Sequence, residues 1–298
     1  MFNWKRIFLS VSIFILIVFG VFLYYSYFIE PNELIVKNYQ INLSQWNKNL
    51  NGFKIVLISD IHGGSNSIDE AKIRRVVELS NEQNADLILL LGDYVSQQRF
   101  DRTKLKMPIE TVAENLKGLK AKFGVYAVLG NHDGWFDDDK TKNELEKIGY
   151  KVLENQVVSL DVNGQKIRLL GMADALKVGN WQSYIEKAKD AISKVEREGN
   201  LIVFTHNPEV FPILNEVDAD LSNEISLMIA GHTHGGQCKF PIIGSPIIPT
   251  SYGQRYVSGE VIENGKHFFI SSGIGTSILP IRYNVPPEIS VLVINNPD

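Results

Sequence analysis

Between Ile55 and Ala230, five short apolar runs each stop at a residue able to hold a metal ion. "IVLIS" gives way to Asp60-Ile61-His62, "LILLLG" to Asp93, "YAVLG" to Asn131-His132-Asp133, "LIVFT" to His206, and "SLMIAG" to His232-Thr233-His234. Apolar runs of this length, bounded by turn residues and alternating with amphipathic stretches at 69–81, 109–119 and 140–148, are the signature of βαβ units. Further runs ("KIRLLG", "HFFISSG", "ISVLVI") are joined by what read as loops, so the pattern predicts an α/β body with a mixed sheet system. In open α/β sheets ligands sit outside the carboxyl ends of the strands. Five of the chain's six histidines are delivered to that edge.

Each piece alone also has a plain reading. Asp60 and Asp93 are common turn residues, Asn131 and Asp133 can cap a helix, and His206 can be a satisfied core imidazole. Turns have no reason to gather five histidines, however, and the joint pattern points to a site. Imidazole, carboxylate and amide donors form a nitrogen and oxygen set that suits manganese, iron or zinc. Seven such donors exceed what one tetrahedral ion uses. Two ions sharing a carboxylate would use them all, and such a pair clamps the attacking and leaving oxygens of a phosphoryl displacement.

Composition removes several alternatives. With 30 basic and 34 acidic residues among 298, the chain lacks the basic footprint of a nucleic-acid binder, and no nucleic acid is expected as a partner. Its single cysteine, Cys238, excludes an internal disulfide and a cysteine-rich zinc site. Residues 7–28 contain no charge, and about 20 such residues suffice to cross a bilayer as a helix. Tyr24, Tyr25 and Tyr27 crowd the far end, where a cleavable signal would carry small residues. The segment therefore reads as a retained single-pass anchor. Lys5 and Arg6 precede it, which places the N-terminus in the cytoplasm and the body outside it. The organisation expected is a tail at 1–6, the anchor at 7–28, a connecting segment with an edge strand at 29–52, and a catalytic domain at 53–298.

The ordered set Asp60-x-His62, Gly92-Asp93, Gly130-Asn131-His132-Asp133, His206 and Gly231-His232-x-His234 resembles the calcineurin-like metallophosphoesterase superfamily. The anchor, the "HTHGGQ" form of the last motif and the tail "SSGIGTSILPIR" resemble a membrane-associated branch, which includes the YaeI and YkuE phosphoesterases and the chlamydial-type UDP-2,3-diacylglucosamine pyrophosphatase. The resemblance implies a β-sandwich flanked by helices and a pair of divalent ions, manganese foremost. It also implies that Asp60, His62 and His234 hold one ion, Asn131, His206 and His232 the other, and that Asp93 bridges them. Hydroxide would attack phosphorus, and His132, oriented by Asp133, would protonate the leaving oxygen. Ser96 departs from the family pattern, where an acidic residue is frequent, but at a position that is not a ligand. The implied substrate is a phosphodiester or pyrophosphate that is lipid-linked or close to the membrane, with a phosphomonoester as the nearest rival.

Several residues keep two readings. Arg255 and Arg282 could bind phosphate or a head group, or be surface charges. The loop "CKFPIIGSPIIPTSYGQRY" could pack on the body, or form an apolar lip against the bilayer or an acyl chain. Asp137 to Asp139 suit the first turn of a helix, Cys238 suits packing, and His267 is expected to be structural.

Overall fold

The computed structural model describes residues 4–175 and 180–298; residues 1–3 of the expected tail lie outside the described residues. An apolar helix, α1 (Trp4–Tyr24), continues through a π turn at Tyr25–Ile29 into a 3-10 turn at Glu30–Asn32, where Pro31 ends it. No residue of α1 is buried by the protein, and the helix is long and apolar enough to cross a membrane.

The body begins with β1 (Ile35–Asn42), β2 (Phe53–Ile58), α2 (Glu70–Glu82) and β3 (Leu87–Leu90). A small hairpin follows, β4 (Gln97–Gln98) with β5 (Asp101–Leu105), then α3 (Ile109–Leu116), β6 (Val125–Ala127), α4 (Asn131–Phe136), α5 (Asp138–Lys147) and β7 (Lys151–Val152). The second half contains β8 (Gln156–Val162), β9 (Gln165–Gly171), α6 (Trp181–Ser193), β10 (Asn200–Phe204), α7 (Val210–Val217) and α8 (Ala219–Glu224). It closes with β11 (Ile225–Ala230), β12 (Gly259–Glu263), β13 (Lys266–Ile270) and β14 (Glu288–Asn295).

Two six-stranded sheets result, ordered β1-β14-β2-β3-β6-β7 and β12-β13-β11-β10-β9-β8. Their alternating side chains explain the layers. Ile55, Leu57, Leu87 and Leu89 face inward to meet Ile202, Phe204, Leu227 and Ile229 of the other sheet. The intervening Val56, Ile58, Ile88 and Leu90 face outward, under α2, α3 and α5. Leu201, Val203, Met228 and Ala230 do the same under α6, α7 and α8. Both faces of each central strand are thus buried, which is why these strands read as unbroken apolar runs. Each such Val, Leu, Ile, Phe or Met side chain, fully withdrawn from water, contributes about 1.5–3 kcal/mol.

The helices of the first half follow from local signals. Asp69 caps α2 by accepting from Lys72 N at 2.8 Å, and Ile73, Val76, Val77 and Ser80 form its buried stripe. Asp137 caps α5 in the same way, so the aspartate run lies at a helix start. In the second half α6, α7 and α8 fill the β9–β10 and β10–β11 connections, where loops were expected, while the connections from β11 to β14 carry no α-helix, as the sequence indicated. The buried stripe of α6 is regular, with Tyr184, Ile185, Ala188, Ala191 and Ile192, and Pro212 falls in the first turn of α7, where a proline is tolerated.

Candidate metal centre

β2, β3 and β6 of one sheet run parallel to one another, as do β10 and β11 of the other. Their carboxyl ends deliver Asp60 and His62, Asp93, Asn131 and His132, His206, and His232 and His234 to one crevice. The turns there are sharp: Asp60, His62, Asp93, His232 and His234 all adopt positive φ, between 48° and 72°. Such conformations cost non-glycine residues of order 1 kcal/mol each and concentrate at functional sites. Backbone bonds hold them in place. Asp60 N donates to Gly92 O and His62 N to Asp93 O, both at 3.0 Å, while Gly231 N donates to His206 O at 3.0 Å. Two glycines admit the crowding: a Cβ on Gly130 would fall 2.3 Å from Asp93 Oδ1, and one on Gly231 would fall 1.9 Å from Ser59 Oγ.

Hydrogen bonds fix the tautomers. His62 Nδ1 lies 3.1 Å from Val95 O, and His206 Nδ1 lies 2.7 Å from Leu91 O. A carbonyl only accepts, so Nδ1 carries the proton in both rings and Nε2 faces the crevice, the arrangement typical of ligating histidines. His62 Nε2 is 3.1 Å from His234 Nε2 and 3.5 Å from Asp93 Oδ2. Asp60 Oδ1 is 3.5 Å from His234 Nε2 and has no hydrogen-bond partner although it is buried. On the other side, His206 Nε2 lies 3.3 Å from Asp93 Oδ2, 3.2 Å from Asn131 Oδ1 and 3.1 Å from His232 Nδ1.

These residues fit divalent ions. Donors sharing an ion at about 2.0–2.2 Å lie about 3–3.5 Å from one another, which is the spacing found here. Asp60, His62 and His234 bring their donor atoms within 4.8 Å of one another, and so do Asp93, His206 and His232. A buried carboxylate oxygen with no hydrogen bond is costly unless a cation satisfies it. Burial, with the His132 charge second, holds the His62 imidazole well below its usual value; burial together with Arg282 does the same for His234. Burial and His206 hold His232 down at about 4. These three rings are therefore neutral at pH 7, as ligands must be. Burial also opposes charge on His206, but the Asp93 carboxylate outweighs it and raises that imidazole to about 10.

Two expectations change. Asp133 does not orient His132: its buried carboxylate accepts from Gly130 N and Asp93 N at 2.8 Å, Tyr94 N at 2.9 Å and Val95 N at 3.3 Å, clamping the Asp93 loop onto α4. The partner of His132 is Gln97, which the sequence reading missed. Gln97 Nε2 donates to His132 O at 2.6 Å, so its Oε1 must be the atom facing His132 Nδ1, also at 2.6 Å. Nδ1 is therefore protonated and Nε2 points to the crevice, 3.4 Å from Ser277 Oγ. No spacing signal could have found Gln97, because it lies on the β4–β5 hairpin. Similarly, Arg282 is neither a surface charge nor open to a substrate. It is fully buried, and Nε, Nη1 and Nη2 donate to Gly275 O, Val285 O, Ser272 O and Gly273 O. Arg255 is exposed and pairs with Glu263 through Nε and Nη2, outside the crevice residues. His267 Nδ1 bonds Glu260 Oε1 at 2.7 Å across β12 and β13, a structural contact.

Known proteins give the same reading. The chain is 29% identical over 276 residues to the Bacillus subtilis metallophosphoesterase YkuE, covering 91% of this chain and 89% of that one. It is 29% identical over 273 residues to the Escherichia coli phosphodiesterase YaeI, covering 90% and 91%. A transmembrane protein with metallophosphoesterase domain from Danio rerio is 27% identical over 89% of this chain and 58% of its own. The calcineurin-like phosphoesterase profile matches residues 53–236. With its strand-end histidines and carboxylates gathered into groups that fit divalent ions, the chain belongs to the calcineurin-like phosphoesterases and is a metal-dependent phosphoesterase.

Proposed function

We propose that the protein is a membrane-anchored, two-ion phosphohydrolase that cleaves a phosphodiester or pyrophosphate at the bilayer surface. The observation that carries this reading is the position of Asp93 Oδ2, 3.5 Å from His62 Nε2 and 3.3 Å from His206 Nε2, between the two imidazole groups. Asp60, His62 and His234 would hold one ion, Asn131, His206 and His232 the other, and Asp93 both. The mixture of carboxylate, amide and imidazole favours manganese, with iron and zinc as alternatives. When bound, the pair supplies a nucleophile at neutral pH and charge stabilisation for the phosphoryl oxygens.

The chain's own residues then divide the remaining work. Gln97 holds the His132 ring with Nδ1–H engaged, so the exchangeable proton sits at Nε2, on the crevice side. From there His132 gives it to the departing oxygen. Asp133 keeps the Asp93 loop and the start of α4 in register, so the shared carboxylate and His132 keep their spacing.

A diester is supported by the likeness to YaeI, and a lipid-held substrate by α1. UDP-2,3-diacylglucosamine has this chemistry, with a pyrophosphate beside two acyl chains. The Lys5 and Arg6 bias instead favours a substrate outside the cytoplasm. Product analysis of detergent-solubilised full-length protein with Mn²⁺, using Asp93→Asn as the blank, separates these readings. UMP release absent from the blank assigns the nucleotide lipid. Cleavage of a generic diester without UMP release assigns another membrane-proximal diester. An Asp93→Asn variant as active as the parent sinks the shared-carboxylate reading.

A further inference from the structure

Outside α1 and its exit turns, eight large apolar side chains of the described residues are strongly exposed, and all but Ile262 lie on segments that follow carboxyl strand ends, around the metal crevice. Two of these segments also meet the exit of α1. Phe240 N and O bond Gly244 O and N, which pushes out a tip of Pro241, Ile242 and Ile243, with Ile242 97% exposed. Ile278, 81% exposed, directly follows Ser277, whose hydroxyl faces His132. Gln237 joins the two segments by donating to Leu279 O and Ile281 O.

The contacts with the anchor set the depth of this rim. The Phe22 ring lies 4.9 Å from Tyr283 and 6.0 Å from Phe240, and Asn66 Nδ2 donates to both Tyr27 O and Pro280 O. Residues 7–28 make about 33 Å of helix, enough for a hydrocarbon core of about 30 Å. The stretch from Phe22 onward, which the body touches, supplies about 11 Å of that length. Without it about 22 Å remains, too short to span. A body that grips the last turns of a spanning helix must itself reach the membrane.

We propose that the Pro241–Ile243 tip and Ile278–Leu279 insert into the leaflet that α1 enters, so that the metal crevice opens at the level of the lipid head groups. This inference rests on α1 spanning the bilayer and does not depend on the substrate. It identifies the loop after the His232-x-His234 motif as an apolar lip on the membrane rather than a loop packed on the body.

Spin labels test it. Single cysteines at Ile17, Lys48, Ile242 and Ile278, each in a Cys238→Ser background, are labelled in the full-length chain in phosphatidylcholine–phosphatidylglycerol nanodiscs. Lys48 is exposed and precedes β2, at the end of the strands opposite the crevice. The ratio of relaxation by oxygen to relaxation by a water-soluble nickel chelate should be several-fold higher at 17, 242 and 278 than at 48. Labels at 242 and 278 as open to the chelate as the one at 48, with 17 still protected, would overturn the proposal. Exposure at 17 as well would remove the span itself, and the rim proposal with it.

Discussion

The two halves of the metal centre are built from similar parts and differ in charge and exposure. Asp60, His62 and His234 are all buried, and the group has its own carboxylate in addition to a share of Asp93. Asn131, His206 and His232 have a neutral amide in that place, and His232 is only half-buried. At equal distances, a full negative charge in a buried pocket attracts a divalent ion far more strongly than an amide dipole does. In the proposed two-ion arrangement the first group would therefore hold its ion more tightly than the second. Asp93 is the carboxylate grouped with His206 and His232 on that side.

Removing the extra charge should erase this asymmetry. Asp60→Asn is expected to weaken the first site by at least about 10²-fold and bring its ion occupancy after gel filtration down to that of the second site, measured by elemental analysis. Retention of two ions would show that the carboxylate does not set the order of affinity. A change confined to the proton donor should leave both ions in place. Gln97→Ala frees the His132 ring and should slow cleavage of a diester with an alkyl leaving group about 10- to 10²-fold, while a nitrophenyl diester, which needs little protonation, is barely affected. Equal losses on both substrates would make Gln97 a structural residue only. The smallest effect lies in the second group's proton. His206 is protonated below about pH 10 in the ion-free chain and must be neutral to ligate, so loading should release one proton there. Affinity should accordingly rise by up to tenfold per pH unit toward pH 10 and then level off. Calorimetry in two buffers of different ionisation enthalpy reads that proton, and identical heats would contradict the assignment.

The residues gathered in the crevice were legible because their signal is local. An apolar run followed at once by Asp60, Asp93 or His206 states both that a strand ends and what it presents, and two sheets buried on both faces make those runs conspicuous. The same runs pointed to a mixed sheet system covered by helices, whereas the pairing of two sheets into a sandwich came only from the family resemblance. What stayed hidden depends on partners distant in the chain. Gln97 acquires its role only when the β4–β5 hairpin folds over α4. Asp133 looks like a relay from its place beside His132, yet three of its four donors come from the segment Asp93–Val95, 38 to 40 residues away. The helices α6 and α7 did carry a local signal that went unused, with apolar stripes of Tyr184, Ile185, Ala188 and Ile192 in one and Val210, Phe211 and Leu214 in the other.

Arg282 joins two parts of the molecule that would otherwise be separate subjects. Its backbone N–H donates to Ser26 O in the anchor's exit at 2.9 Å, while its guanidinium collects the carbonyls of a loop whose Gly273 packs directly against Asp60. Glu30, in the same exit, accepts from Asn284 N and Val285 N. The exit of α1 therefore forms part of the wall behind Asp60. Trimming the chain to a soluble body would remove the acceptor of Arg282 N–H and leave the two Glu30 donors open, so a soluble fragment would report on an enzyme whose metal loop had lost its outer support.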